Sequence, residues 1–94
     1  LHPKRGSMTA LDLEKAQIMF KLTRKNNWGA SYDRTEHFKK FSNLDDIIKE
    51  LSKIGWIIVH KKPQYTALSL NTKFKKEIIA FIEQQMPYLM GILK

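Results

Sequence analysis

Residues 44–70 constrain the fold more than any other part of this chain. From Leu44 to Ile54, apolar residues recur at helical spacing and form a stripe about 120° wide. Gly55 comes next and suits the left-handed conformation that closes a helix. Two runs of large and β-branched residues follow, on either side of Pro63, which cannot donate to a β-ladder. We therefore predict a helix over 44–54, strands over 56–60 and 66–70, and a turn at 62–64.

Three further helices are predicted around this unit. The first is expected over 9–25, capped by Thr9, and the second over 34–41, with Asp33 as its N-cap. The last is expected to start near residue 72 and to stop before Pro87.

The connections between these elements also carry local signals. Residues 30–32 are expected to form a short strand beside the hairpin. Ser42 and Asn43 are expected to make a tight turn that caps the helix at Leu44, and Asn71 or Thr72 to cap the last helix.

The first helix carries two apolar stripes where a small monomer needs one. Leu11 and Ile18 lie on one side, and Leu13, Ala16 and Phe20 lie nearly opposite. The second stripe indicates either deep burial or a subunit contact. With the apolar tail after residue 87, it favours a homodimer. The predicted dimer contacts are Leu13, Ala16, Phe20, Phe81, Met86, Tyr88, Leu89 and Leu93.

Charge is the most telling property of the composition. The 94 residues include 17 Lys and Arg against 9 Asp and Glu, which gives a net charge of +8. Such a balance favours a polyanionic partner through counterion release, but it does not choose among DNA, RNA and anionic lipid. The absence of cysteine excludes a disulfide framework, a thiolate zinc site and a cysteine nucleophile.

The chain length favours one domain. Residues 1–8 resemble a cloning remnant before Met8, so the domain is expected over 9–94. No apolar run approaches the roughly 18 residues of a membrane span, and no signal peptide is apparent. We expect a cytoplasmic, nucleoid-associated protein with no membrane contact.

Nothing in the sequence has the pattern of an active site. There is no Gly-rich phosphate loop and no nucleophile elbow. His2, His37 and His60 have no metal-ligand spacing. Asp45 and Asp46 could act as an acid and base pair, but carboxylates at a helix start more often satisfy orphan amides. We expect no enzymatic activity, metal or cofactor.

Basic residues group on three expected surfaces: the third helix, the hairpin tip and the second helix. Lys49 and Lys53 are four residues apart, so they share one exposed helix face, while Lys61 and Lys62 lie at the hairpin tip with Gln64. A solvated face is the simpler interpretation of any such set. The candidate DNA contacts are Arg34, Lys39, Lys40, Ser42, Asn43, Lys49, Lys53, Lys61, Lys62, Gln64 and Tyr65.

The phrase from Leu51 through Gly55 to Trp56 and Ile57 resembles the entry into the wing of winged helix-turn-helix regulators. Residues 10–86 are similar to the MarR and PadR types of small prokaryotic regulators. The resemblance implies an α+β, mostly α fold with a three-helix core, a β-hairpin wing and a C-terminal helix. It also implies a homodimeric transcriptional regulator whose third helix enters the major groove of double-stranded DNA. The abundance of Lys and Ile suits an archaeal or plasmid-borne protein.

Two features depart from this family pattern. Asp45 and Asp46 open the expected recognition helix, where carboxylates repel phosphates, and that helix has no arginine to read guanine. Specificity would then come from Ser42, Asn43 or Lys49, or from DNA shape. The alternatives are a plasmid-partition-type site-binding protein and a protein-interaction module of a transcription or replication assembly.

Overall fold

A computed structural model describes residues 3–93 of the chain, and the side chains of residues 11–93. Over this range the protein has the predicted α+β, mostly helical class, with three α-helices and one three-stranded antiparallel sheet. The elements in chain order are helix α1 (Pro3–Arg24), strand β1 (Asp33–Arg34), a 3₁₀ turn (Thr35–Phe38), helix α2 (Leu44–Lys53), strands β2 (Ile57–Lys61) and β3 (Thr66–Leu70), a 3₁₀ turn (Thr72–Phe74), helix α3 (Lys75–Gln85) and a last 3₁₀ turn (Pro87–Leu89).

Helix α1 begins earlier than predicted. It starts at Pro3, and proline is tolerated in a first turn because its missing amide would have no partner there. Thr9 therefore lies inside the helix and does not cap it. The proposed cloning remnant lies partly outside the described residues, which exclude residues 1 and 2, and it stays a prediction.

The hairpin has the predicted location. β3 has the predicted bounds, β2 is shifted by one residue, and Val59 pairs with Leu68 in antiparallel register. The sheet order is β1-β3-β2, so β3 lies in the centre. The expected short strand is present, but it forms at 33–34 and not at 30–32.

The predicted second helix over 34–41 is wrong, since only the 3₁₀ turn Thr35–Phe38 forms there. Arg34 is extended, with φ −74° and ψ 145°. The carboxylate of Asp33 contacts Lys25, His37 and the amide of Arg34, so it is not the N-cap that was predicted. Asp33 and Arg34, the predicted cap and first residue of the helix, form β1 instead. The remaining residues are too few to sustain a stable α-helix.

The core lies between α1, α3 and the inner face of the sheet. Ile18 and Leu22 of α1 and Ile78 and Ile82 of α3 are fully buried, and Phe38 fills the space beside them. Both stripes of α1 contribute to this core. Ala16, from the second stripe, is also fully buried, whereas Leu13 is exposed. Deep burial therefore explains Ala16.

The signal that closes α2 at Gly55 is confirmed, whereas Asn71 caps the 3₁₀ turn Thr72–Phe74 and not the last helix, which begins at Lys75. Gly55 has φ 87°, and the amides of Gly55 and Trp56 close α2 on the carbonyls of Ser52 and Leu51, 3.1 and 2.9 Å away. The side chain of Asn71 accepts a hydrogen bond from Lys73 and donates one to the Gly55 carbonyl. Helix α3 ends at Gln85, before Pro87, as predicted.

Candidate nucleic-acid interface

A cluster of aromatic and basic side chains lies at the hairpin end of the sheet, and we call it the hairpin cluster: Tyr32, Arg34, His60, Lys62 and Tyr65. The guanidinium carbon of Arg34 lies 4.2 Å from the centre of the Tyr65 ring, and Lys62 Nζ lies 5.5 Å from that of Tyr32. The two tyrosine hydroxyls are 3.1 Å apart, and the Tyr32 ring packs on His60 at 4.8 Å. Cation–π contacts thus place two exposed positive charges close to the hairpin turn.

The antiparallel register of the sheet assembles this cluster. Ala67 of the central strand pairs with Arg34 on one side and with His60 on the other, which brings residues distant in sequence together. The amide of Lys62 donates to the carbonyl of Tyr65 at 2.8 Å and closes the turn. Sequence reasoning missed Tyr32. The signal was the alternation of a strand, since Tyr32 and Arg34 are two residues apart.

The hydroxyl of Tyr65 remains protonated at physiological pH. Its hydrogen bond with Tyr32, together with burial, raises the pKa of Tyr65 above its ordinary value, while the charges of Arg34 and Lys62 act in the opposite direction. The hydroxyl is therefore a neutral donor and acceptor beside two cations.

The outer face of α2 is divided between negative and positive charge. Asp45 and Asp46 are exposed in the first turn, and Lys49 and Lys53 are exposed further along. Neither lysine forms an ion pair with another of the residues 11–93. Glu50 is bound at 2.6 Å by Lys15 of α1. Asp45 and Asp46 therefore lie in the N-terminal half of the helix, and Lys49 and Lys53 lie in its C-terminal half.

The cap predicted for α2 is also corrected. Asn43 has the N-cap position, but its side chain makes no capping hydrogen bond. The backbone amide of Asn43 instead donates to Glu14 Oε1 of α1 at 2.8 Å. Ser42 and Asn43 are both exposed beside Lys39, where they remain available to a ligand.

The remaining candidate contacts fall on different surfaces. Lys39 and Lys61 line one shallow depression of about 520 Å³ between the first 3₁₀ turn, α2 and the hairpin. Gln64 is exposed at the hairpin tip. Lys40 lines a separate trough beside α1. Ten of the eleven predicted contacts thus belong to β1, to the hairpin, to α2 or to the loop before α2, whereas Lys40, in that same loop, lines the trough beside α1.

Asp33 connects the hairpin side of the fold to α1. Its carboxylate lies 3.0 Å from Lys25 Nζ and 2.6 Å from His37 Nδ1. Burial raises the pKa of this carboxyl, but the hydrogen bonds and charges of His37 and Lys25 outweigh burial and hold the pKa below its ordinary value. Asp33 is thus a buried, charged joint between β1 and the end of α1.

The predicted dimer contacts do not form one exposed surface. Ala16, Met86 and Leu89 are buried in the chain's own core. Phe20, Phe81 and Leu93 are half-buried against it, and Leu13 and Tyr88 are exposed. Met90 and Ile92, which were not predicted, are exposed apolar residues beside Tyr88 in sequence.

Among the described residues, no three side chains of His, Asp or Glu are grouped so that they could hold a metal ion. No helix in the described range is both long and apolar enough to cross a membrane.

Comparisons with protein-family models, curated proteins and solved structures find no match to this chain. Function is therefore inferred from the chain's own geometry and charge.

Proposed function

We propose that this protein binds double-stranded DNA as a transcriptional regulator, with the hairpin as its principal contact. The observation that carries the proposal is the hairpin cluster, in which the exposed cations of Arg34 and Lys62 lie over the rings of Tyr65 and Tyr32. A cation that is already ordered loses less conformational entropy when it meets a phosphate. Such a protein would be associated with the nucleoid.

The arrangement of elements supports the same proposal. A helix that leads through a glycine into a basic hairpin, with a short strand paired to that hairpin, is the arrangement expected of a winged helix. In this interpretation α2 is the recognition helix and the turn at 62–65 is the tip of the wing. The first 3₁₀ turn occupies the place of the second helix.

The charge on α2 indicates which DNA contacts α2 and the hairpin cluster would each make. Asp45 and Asp46 disfavour close approach of the helix N-terminus to phosphates, whereas Lys49 and Lys53 favour it. Arg34 is the one arginine among the candidate contacts, and arginine is the residue best suited to a guanine edge or a narrow minor groove. Arg34 of the hairpin cluster therefore supplies the groove contact in this proposal, and the lysines of α2 supply backbone contacts.

The direct test is fluorescence anisotropy with random duplex DNA across a salt series, with a polyanion competitor. Affinity should fall with salt at a slope of about −4 if four or five phosphates are neutralised. The hairpin variant, Lys61→Glu with Lys62→Glu, should weaken binding by about 100-fold. The control variant, Lys73→Glu with Lys76→Glu, changes the net charge equally on the exposed start of the α3 region and should bind nearly as the wild type does. Equal losses in both variants would mean that only net charge matters, and absence of binding at low salt would refute the proposal.

We also propose that the protein is a homodimer, as regulators with two half-sites are. The surface available for pairing is the C-terminal segment, where Tyr88, Met90 and Ile92 are exposed. Apolar side chains in such a group favour contact with a partner. Sedimentation at micromolar concentration should show a dimer that Met90→Glu with Ile92→Glu converts to monomer, and a wild-type monomer would contradict this part of the proposal.

A further inference from the structure

A trough of about 730 Å³ lies beside α1, bounded by residues 40–41 and by the last 3₁₀ turn. We call it the α1 trough. Helix α1 lines it with side chains spaced three or four residues apart, from Glu14 to Arg24, and Lys25 follows directly after the helix. Eleven residues of helix rise about 16 Å, so the trough is about three helical turns long. It is therefore an elongated surface and not a compact pocket.

Apolar side chains form one part of the trough, which is otherwise lined by polar and charged residues, and we call this apolar part its floor. Phe20 and Phe41 are half-buried, Met86 is buried, and Tyr88 is exposed. The hydrogen bond from the Asn43 amide to Glu14 ties α1 to the chain just after Phe41. Partly buried aromatic side chains that already pack against the core can take an apolar side chain from a partner at little ordering cost.

Two uncompensated cations stand over this floor. Arg24 lies 5.8 Å from the ring centre of Phe20, and Lys40 lies 5.3 Å from that of Phe41. Neither is paired with a carboxylate among residues 11–93. The other two cations are engaged, Lys25 by Asp33 and Lys21 by the carbonyl of His37.

We propose that the α1 trough binds an amphipathic acidic helix of a partner protein. An apolar side chain of that helix would lie between Phe20 and Phe41, and its carboxylates would meet Arg24 and Lys40. Helix-in-groove recognition uses this combination of an apolar stripe and flanking charges. About three turns of helix match the length of the trough.

Charge argues against two other occupants. A symmetric contact between two copies of the trough would place Arg24 and Lys40 of each against like charges, which is unfavourable when they are desolvated. A nucleic-acid strand needs cations spaced along its backbone, whereas one end of the trough is Glu14 and two of its four cations are already engaged.

The test uses three fluorescent peptides of about 12 residues, the length of three helical turns. The first has Leu and Phe on one helix face and Glu elsewhere, the second has the same composition scrambled, and the third has Lys in place of Glu. The full chain should bind the first peptide at least about tenfold more tightly than the other two. The trough variant, Arg24→Glu with Lys40→Glu, should lose that preference, and the control variant should keep it.

Amide chemical shifts of the wild-type protein provide a second readout that needs no variant. On addition of the amphipathic acidic peptide, shifts should concentrate at Gln17, Phe20, Arg24, Phe41 and Tyr88. Equal binding of the scrambled peptide, or shifts located at the hairpin, would overturn the proposal. Tighter binding of a single-stranded oligonucleotide at the same residues would assign the trough to nucleic acid instead, and self-association that the trough variant abolishes would assign it to a second copy.

Discussion

The hairpin and the α1 trough are both basic, yet they differ in what surrounds the charges. In the hairpin cluster, Arg34 and Lys62 are exposed and lie over tyrosines near the hairpin turn. In the trough, Arg24 and Lys40 lie over phenylalanines that line a concave surface. An exposed hairpin tip can enter a groove of DNA, whereas a concave surface with apolar side chains fits an apolar side chain. We therefore propose that local shape, and not net charge alone, selects the partner of each surface.

The largest predicted effect is on stability, at Asp33, which connects the hairpin cluster to the α1 trough. Asp33 binds Lys25 of the trough and precedes Arg34 of the hairpin cluster. Asp33→Asn removes a buried charged hydrogen-bond acceptor and should lower the free energy of unfolding by about 2 kcal/mol at neutral pH. Urea denaturation followed by circular dichroism measures this loss.

The pH dependence of the same variant gives an independent check. Because the pKa of Asp33 is lower in the folded protein than its ordinary value of 3.8, its charge stabilises the fold above that pH. The stabilisation is lost as the pH falls through the folded-state pKa. The wild type should therefore lose stability faster below about pH 4 than Asp33→Asn does. Parallel pH profiles would show that Asp33 is not the charged joint described above.

A second prediction asks whether α2 belongs with the hairpin. Lys49→Glu with Lys53→Glu should weaken duplex binding by about tenfold, less than the hairpin variant, because these lysines make backbone contacts only. The trough peptide should bind unchanged. Duplex anisotropy in the same salt series measures the first effect, and unchanged duplex affinity would mean that α2 faces away from DNA.

The smallest effect concerns the tyrosine under Arg34. Tyr65→Phe keeps the ring but removes the hydrogen bond to Tyr32, so it should lower stability slightly and leave duplex affinity nearly unchanged. Tyr65→Leu removes the cation–π contact as well and should weaken binding by a further factor of about two to five. If both variants bind equally, the ring does not position Arg34.

The hairpin was predictable from sequence, while the trough was not. Gly55 precedes the first hairpin strand and Pro63 follows it. Both act through their own backbone preferences, which do not depend on tertiary contacts. The second helix failed because Asp33 has distant partners as well as local ones. Lys25 is eight residues away from Asp33, so the local sequence pattern does not show that Asp33 binds Lys25 and does not cap a helix. The trough depends on three separate segments, so no single periodicity contains it.

Several of the dimer contacts predicted from the sequence are buried within the chain's own fold. A period of 3.6 residues places Ala16 on a second stripe, but it does not reveal that α3 and the sheet enclose α1 from more than one side. Met90 and Ile92 follow Pro87, in a segment too short to show a helical or strand repeat of apolar residues. The sequence pattern therefore does not predict which of these side chains are exposed. Their exposure is a result of tertiary packing.

The most direct test of the central claim is a crossed measurement with two variants and two ligands. The hairpin variant and the trough variant have the same net charge, and each is titrated with duplex DNA and with the amphipathic acidic peptide. The hairpin variant should lose DNA binding and keep the peptide, and the trough variant should do the reverse. If both variants lose DNA binding to the same extent, charge and not local shape selects the partner, and the account is contradicted.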